Sequence, residues 1–199
     1  MKKFRWQLII IFLTGLVVGI LLLREQPVVL PFQEPEPVQG GSYTEAVIGS
    51  IQRLNPVLDT YHAADRDIDR LIYSRLVTFD DRGLPQPDLA ESWGVSADGT
   101  VYNITLKADV KWHDGQPLTS DDVLFTIEMM RAGEGVVPDD LRSFWNDVEV
   151  VIFDEQNFQF RLPEPFAPFL DYLAFGVLPR HLLGSLTFVE MVDAPFNLQ

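Results

Sequence analysis

The stretch from Pro87 to Phe125 constrains the fold of this chain more than any other, because its turn signals and its apolar periodicity agree. It reads PDLAESWGVSADGTVYNITLKADVKWHDGQPLTSDDVLF. A strand is predicted over Glu91–Ser96, and Tyr102–Leu106 alternates apolar and polar residues as a half-buried returning strand does. Asp98-Gly99 lies between them and is typical of a tight hairpin turn.

A third strand and a capped helix are predicted in the second half of this stretch. Val110 and Trp112 begin the strand, which a glycine turn ends. Thr119, with Asp122 three residues later, forms a capping box that predicts a helix to about Arg131. The residues predicted to face inward from this helix are Val123, Ile127 and Met130. The stretch is therefore predicted to be a β-meander followed by a helix, which is scaffold rather than catalytic machinery.

The remainder of the chain mixes strands and helices without a strict βαβ order. Further strands are predicted over Tyr43–Ile51, Leu76–Phe79, Val148–Phe153 and Phe158–Leu162. Further helices are predicted over Asp67–Arg75, where Ile68, Leu71 and Ile72 form an inward stripe, over Phe169–Phe175 and over Pro179–Leu183. Residues 53–67 and 132–140 are predicted to be loops. This mixture indicates a mixed α/β (α+β) fold.

The N-terminal 41 residues predict an anchor and a spacer. Leu8–Leu23 is uncharged over 16 residues and would span roughly 24 Å as a helix, a little short of the ~30 Å bilayer core. Three positive charges precede it, so the positive-inside rule places the rest of the chain outside the cytoplasm. A cleaved signal peptide is the alternative, but no small-residue cleavage pattern follows Leu23. The predicted divisions are a transmembrane signal anchor over residues 1–25, a Pro-rich linker over 26–41 and a folded domain over 42–199.

Charge and cysteine content exclude several classes of function. Residues 1–25 carry a net charge of +3, and the other 174 residues carry −17. A surface this acidic repels phosphate backbones, so nucleic-acid binding is not expected. The absence of cysteine removes disulfides, thiolate metal sites and cysteine nucleophiles.

Four segments of the sequence resemble a known family. They are PDLAESW from Pro87, DGTVYNITLKADVKWHDGQPLTSDDV from Asp98, LPRHLL from Leu178 and DAPFN from Asp193. Together they resemble extracellular solute-binding proteins of the dipeptide/oligopeptide type, the receptors of peptide and nickel ABC importers. The resemblance runs from about Ser42 to the last residue and corresponds to roughly the first third of a family member.

The resemblance implies a portion of the N-terminal lobe of a two-lobed, periplasmic-binding-protein-like fold. Ligand would bind between the lobes and be delivered to ABC permease subunits, with no bond made or broken and no cofactor. A peptide is the expected ligand, and nickel complexes, oligosaccharides and other small solutes occur in the same family. The expected location is extracytoplasmic, in the periplasm or on the outer face of the cytoplasmic membrane.

Five residues are candidate ligand-binding residues by this resemblance. Thr60, Tyr61 and His62 follow a Leu-Asn-Pro turn, where the family's main chain passes the ligand cleft and can pair with a bound peptide. Tyr61 and His62 could equally cap a loop in solvent. Phe144 and Trp145 follow a Gly-rich loop, where the family often places a cleft aromatic, and core packing is an equal alternative for both.

Other classes of function remain as alternatives. His113-Asp114 is interpreted as a turn rather than a metal or acid/base site, because the sequence supplies no second ligand at metal-binding spacing. A hydrolase is not favoured, because the sequence contains no nucleophile–base motif. A membrane-tethered interaction module, or a non-functional gene fragment with no transport role, is compatible with the same lobe.

Overall fold

The computed structural model describes residues 2–24, 40–42 and 44–198, and these divide into an N-terminal unit ending at Glu45 and a larger unit beginning at Ala46. In the N-terminal unit, helix α1 spans Lys2–Arg24. No helix in the described part of the chain is both long enough and apolar enough to cross a membrane. The predicted linker over 26–41 lies outside the described residues except for its last two glycines.

A four-stranded antiparallel sheet forms the centre of the larger unit. Its strands are β3 (Ala90–Val95), β4 (Val101–Leu106), β5 (Glu149–Ile152) and β6 (Asn157–Arg161), in the spatial order β3-β4-β6-β5. A separate hairpin pairs β1 (Val77–Phe79) with β2 (Pro85–Pro87). The hairpin predicted around Asp98-Gly99 is confirmed, and the strands predicted over Val148–Phe153 and Phe158–Leu162 form and pair with each other as a second hairpin.

The Asp98-Gly99 hairpin forms, although its turn is not the type I′ turn, with positive φ at both central residues, that such a pair is typical of. Gly99 alone has a positive φ, of 71°, and its N–H donates to the Ser96 carbonyl oxygen at 2.9 Å. The Asp98 carboxylate accepts hydrogen bonds from the backbone N–H of Thr100 at 3.2 Å and from its hydroxyl at 2.9 Å. The aspartate therefore closes the loop with its side chain rather than by adopting a left-handed backbone.

Helices cover the sheet and complete the core. The longer ones are α2 (Ala63–Ile72), α3 (Ser120–Ala132) and α4 (Asp139–Asp147), and the short ones are α5 (Phe169–Tyr172), α6 (Arg180–Leu183) and α7 (Phe188–Val192), followed by a 3₁₀ turn at Pro195–Leu198. Helix α3 has the predicted capping box and packs against α4, α6 and β5. Its predicted inward residues Val123, Ile127 and Met130 are all buried.

Two polar side chains of α3 hold the segment that leads into α6. The Asp122 carboxylate accepts from the Thr119 N–H at 2.9 Å and from the Arg180 N–H at 2.8 Å. The Thr126 hydroxyl donates to the Asp122 carbonyl oxygen and accepts from the Leu178 N–H, both at 2.8 Å. Asp122 and Thr126 are themselves buried, so these bonds satisfy groups that would otherwise be costly to bury.

A buried asparagine pair joins the Leu-Asn-Pro turn to the last turn of the described chain. The Asn55 side-chain NH₂ donates to the Asn197 side-chain oxygen at 3.0 Å, and the Leu54 N–H donates to the Asn197 backbone oxygen at 2.8 Å. The Asn197 NH₂ donates in turn to the Met191 carbonyl oxygen at 2.8 Å. Two segments about 140 residues apart are thereby fixed to each other.

Two predicted strands do not form. Over Tyr43–Ile51, Tyr43 lies outside the described residues and residues 44–51 are not in a strand, because no described segment supplies a backbone partner for them. Ile48 in this segment is 99% exposed. The strand expected from Val110 and Trp112 is instead a tight loop with a single bridge between Lys111 and Pro117, because the chain turns back too soon to extend it.

Several helix predictions also need correction. The predicted loop over 132–140 ends in a helix, α4, that was not predicted at all. The helix predicted over Phe169–Phe175 stops at Tyr172, and the one predicted over Pro179–Leu183 begins at Arg180. Their four-residue lengths explain why periodicity alone did not fix their ends.

We predict that Thr126→Val destabilises the larger unit by about 1–3 kcal/mol, because valine keeps the volume but leaves the buried Leu178 N–H without an acceptor. Urea unfolding of the full chain measures this change. Thr44→Val, at an exposed position, is the control and should change the free energy of unfolding by less than about 0.5 kcal/mol. Equal effects of the two variants would contradict a structural role for the Thr126 hydroxyl.

Candidate functional site

Two adjoining cavities on the larger unit form the candidate site, and they share the lining residues Met130, Leu141, Ala174 and Phe175. The first has a volume of about 290 Å³ and is called here the Thr60 cavity. Its polar lining residues are Asp59, Thr60, Arg66, Asp69, Arg70 and Arg75. The second, the Trp145 cavity, has a volume of about 300 Å³ and is also lined by Trp145, Asp171 and Tyr172. The site therefore has a charged part and an aromatic part joined by an apolar wall.

Helix α2 supplies most of the charged part because its polar face points inward. The predicted inward stripe is wrong: Leu71 is 87% exposed and Ile72 is also exposed, whereas Ala64, Asp65 and Asp69 are buried. The Asp65 carboxylate explains this orientation, since it accepts from the backbone N–H groups of Gln52 at 2.8 Å and Arg53 at 3.0 Å. The helix also starts earlier and ends earlier than the predicted Asp67–Arg75.

Asp69 is a buried carboxylate without a hydrogen-bond partner. It is 2% exposed, and neither carboxylate oxygen has a partner among the described residues. Burial is the main cause that raises the pKa of Asp69 to about 7, and the negative charges of Asp59 and Asp65 add to it. The Asn55 backbone N–H partly offsets this rise in the pKa of Asp69, although it does not meet the geometry of a hydrogen bond.

Asp59 lies closer to the arginines of the Thr60 cavity. Burial raises the pKa of Asp59 to about 6, while the positive charges of Arg66, Arg70 and Arg75 lower it. These opposing effects place its titration just below neutral pH. The two aspartates of this cavity can therefore both change charge between about pH 5 and pH 8.

The three arginines of the cavity are held to different degrees. Arg66 donates from Nη1 to the Thr60 carbonyl oxygen at 3.1 Å. Arg70 lies 4.0 Å from Asp67 in an exposed ion pair, which contributes little to holding it. Burial, and then the positive charge of Arg70, lower the pKa of the Arg75 guanidinium. Its backbone N–H donates to the Asp88 carboxylate at 2.8 Å, which fixes the chain but leaves the side chain free to face the cavity.

At Gly176, the wall of the Thr60 cavity packs so closely against neighbouring side chains that only glycine fits. Gly176 forms a backbone bridge with Arg75. A Cβ atom on Gly176 would lie 2.8 Å from the Tyr73 Cβ and 2.9 Å from the Pro56 Cβ, closer than side chains can pack. The bridge and the close packing together fix the position of Arg75 relative to the wall formed by Phe175.

The structure places the five predicted ligand-binding residues differently. Thr60 lines the Thr60 cavity and Trp145 lines the Trp145 cavity, so these two come together. Tyr61 is 71% exposed and His62 is the N-cap residue of α2, and neither lines these cavities. Phe144 packs among aromatic rings, 4.2 Å from the Tyr172 ring centroid, and lines a separate cavity. A ligand contact for any of the five stays a prediction.

Trp145 is fully buried and holds the end of α4 against α3. Its carbonyl oxygen accepts from Arg131 Nε at 2.8 Å. Its ring lies in T-shaped contact with the Phe175 ring, at a centroid distance of 5.6 Å. Its indole N–H has no acceptor among the described residues. The aromatic part of the site is therefore rigid, with one unused hydrogen-bond donor.

The charged residues of the Thr60 cavity were not found from the sequence. Asp65 and Asp69, and likewise Arg66 and Arg70, are spaced four residues apart on α2. Such spacing is typical of a solvated helix face, so it gave no reason to place them inward. The signal that could have found them is the mismatch between this polar face and the exposed apolar residues of the same helix.

Comparison with known proteins identifies the relatives of this fold. Residues 85–181 match the family model "Bacterial extracellular solute-binding proteins, family 5 Middle". The oligopeptide-binding protein AppA of Bacillus subtilis is 30% identical over 172 residues, which are 81% of this chain and 30% of AppA. This chain is similar to the family 5 bacterial extracellular solute-binding proteins. The dipeptide-binding protein of Escherichia coli is 34% identical over 169 residues, 73% of this chain and 29% of that protein.

Solved structures of binding proteins share the mixed α/β architecture of this chain. NikZ from Campylobacter jejuni in complex with Ni(L-His) matches with a TM-score of 0.64 and 35% identity, over 75% of this chain and 29% of NikZ. AppA from Bacillus subtilis in complex with a nonapeptide matches with a TM-score of 0.61 and 27% identity, over 71% and 28% of the two chains. The chain thus spans about 30% of the length of its relatives, and they are binding proteins rather than enzymes.

We predict that Asp69→Asn stabilises the protein above pH 7 by about 1–3 kcal/mol. The pKa of Asp69 is raised in the folded state to about 7, so folding takes up a proton, and stability falls as the pH rises from about 4 to about 7. Urea unfolding at pH 5 and pH 8 measures the difference, which should be small at pH 5. Asp67→Asn, exposed on the same helix, is the control. Identical behaviour of the two variants at both pH values would rule out the buried-charge explanation.

Proposed function

We propose that this chain supplies part of the extracytoplasmic substrate-binding component of an ABC importer, and that its ligand is a peptide. The observation that supports this most is the pairing of the Thr60 cavity with the Trp145 cavity. A peptide carries charged and polar groups along one main chain and apolar side chains beside them. The charged and the aromatic cavity, joined by one apolar wall, complement this combination.

The backbone beside the Thr60 cavity has unused donors for a peptide main chain. Within the described part of the chain, the N–H groups of Asp59, Thr60 and Tyr61 donate no hydrogen bond. The carbonyl oxygens of a peptide main chain can accept hydrogen bonds from such free N–H groups, and backbone hydrogen bonds give affinity with little preference for the side chain. This supports a ligand role for Thr60 and Tyr61 through their main chain, even though the Tyr61 side chain points to solvent.

The names of the relatives agree with this choice of ligand. AppA is an oligopeptide-binding protein, and the Escherichia coli relative is a dipeptide-binding protein. In the proposal, ligand is enclosed between this lobe and a second lobe, and the closed form delivers it to the permease. No covalent chemistry takes place on the chain, and residues 42–199 act as the folded, ligand-binding part.

We predict that a tripeptide, Ala-Phe-Ala, binds the full chain and that Thr60→Trp lowers its affinity by at least tenfold, because the indole fills the cavity. Isothermal titration calorimetry measures the dissociation constant. Thr44→Trp, which adds the same bulk at an exposed position, is the control and should bind as the unmodified chain does. Tripeptide binding that is unchanged in Thr60→Trp would place the ligand elsewhere, and no binding to the unmodified chain would refute the proposed function.

The proposal includes an N-terminal membrane anchor, which is supported by the sequence alone. The uncharged run Leu8–Leu23 is shorter than the ~20 residues of a typical span, and the aromatic and arginine residues at its ends would extend it. The three positive charges before it orient the larger unit outward. Residues 26–41 would then act as the spacer.

We predict that the chain stays in the membrane pellet after alkaline carbonate extraction and that Leu16→Arg shifts it to the supernatant. An arginine near the middle of a span costs about 2.5–3.5 kcal/mol of insertion free energy. Leu16→Ala is the matched control and should remain in the pellet. Recovery of the unmodified chain in the supernatant would contradict the anchor.

A further inference from the structure

Three guanidinium groups line one cavity of a strongly acidic chain. The sequence has eleven arginines, and Arg66, Arg70 and Arg75 all line the Thr60 cavity, although the net charge is −14. Bringing like charges together in a partly buried place is unfavourable: burial, and then the positive charge of Arg70, lower the pKa of Arg75. An arrangement of this kind is stabilised when an anion occupies the space between the cations.

Two of these guanidinium groups have donors available. Arg66 already donates to the Thr60 carbonyl oxygen. The Arg75 guanidinium makes no hydrogen bond or ion pair within the described residues, and Arg70 has only its 4.0 Å contact with the exposed Asp67. Arg70 and Arg75 are close enough for the charge of one to lower the pKa of the other.

From this geometry we propose that Arg70 and Arg75 bind a carboxylate group of the ligand in the Thr60 cavity. The planar guanidinium group pairs with a carboxylate through two parallel hydrogen bonds, which a compact cation cannot do. The apolar wall of Met130, Leu141 and Phe175 would then receive the carbon chain attached to that carboxylate. The inference rests on the proposed function and adds to it the position of one charged group of the peptide.

The aspartates of the cavity set its net charge. The charged groups around it are Asp59, Arg66, Asp69, Arg70 and Arg75 in the lining, Asp65 on the buried side of α2, Asp88 beside Arg75, and Asp171 in the Trp145 cavity. When Asp59 and Asp69 are both ionised, the five lining groups carry a net charge of about +1. Protonation of both would leave about +3. Carboxylate affinity should therefore rise as the pH falls from 8 to 5.5.

The test compares peptides that differ only in the carboxylate. Calorimetry on the full chain measures Ala-Phe-Ala, its C-terminal amide, and the amide of Ala-Phe-Glu. Loss of at least tenfold in affinity on amidation, with recovery in the glutamate peptide, indicates that a carboxylate from either source is bound. Loss without recovery indicates the terminal carboxylate. Equal affinities for all three peptides would overturn the inference while leaving the proposed function standing, and no binding of any peptide would refute both.

Arginine variants locate the carboxylate. Arg75→Gln and Arg70→Gln should each weaken Ala-Phe-Ala binding by about tenfold and leave binding of the amide unchanged. Arg82→Gln is the control, because Arg82 pairs with Asp80 in the β1–β2 turn outside the cavity. Arg70 is exposed, so its variant is expected to fold even if Arg75→Gln does not. An equal loss for the free peptide and the amide would show that the arginines act on the fold rather than on the carboxylate.

The pH dependence gives a second readout. The affinity for Ala-Phe-Ala should increase from pH 8 to pH 5.5, and Asp69→Asn should reduce this dependence by removing one of the two titrating groups. The affinity for the amide should not increase over the same range, because the amide has no carboxylate and its N-terminal amine is positively charged. A free peptide that binds more weakly as the pH falls would contradict the inference.

Discussion

The geometry of the site depends on the hydrogen bond between the Thr126 hydroxyl and the Leu178 N–H. This hydroxyl accepts from the Leu178 N–H, while Asp122 of the same helix accepts from the Arg180 N–H, so α3 fixes the segment that follows Phe175. That segment reaches the Arg75 bridge through Gly176. One buried helix thus positions the apolar wall of the Thr60 cavity and, through the bridge, an arginine that lies about 50 residues earlier in the sequence.

The Leu-Asn-Pro turn and the DAPFN segment, near the two ends of the larger unit, are joined by a physical contact. The asparagine of the Leu-Asn-Pro turn and the asparagine of the DAPFN segment are hydrogen-bonded to each other in the interior. One hydrogen bond joins the two side chains, and the backbone groups of Val57 and Met191 satisfy their other polar atoms, so the pair holds the loop of Thr60 in place without leaving a buried amide unpaired. Sequence alone identified the motifs, but their partnership depends on a contact across the whole domain.

The fold was predictable where local signals agreed, as in the hairpin at Asp98-Gly99 and the capping box at Thr119. It was not predictable where contacts between distant residues decide the structure. Residues 44–51 find no strand partner in the part of the chain that the structure describes, and Asp65 orients α2 by accepting a hydrogen bond from the Arg53 N–H. Thr60 and Trp145 came from family resemblance, and the structure brings them to adjoining cavities. The charged residues of α2 were not predicted to line a cavity, because a four-residue spacing of charges is typical of a solvated helix face.

The reversed orientation of α2 has a practical consequence for work on this protein. Because the helix turns Asp65 and Asp69 inward, its outer side presents Leu71 almost fully to water. Leucine and isoleucine in that position favour self-association in concentrated samples. Replacing Leu71 and Ile72 with lysine or glutamate would reduce this self-association. The residues of α2 that line the Thr60 cavity would be unchanged.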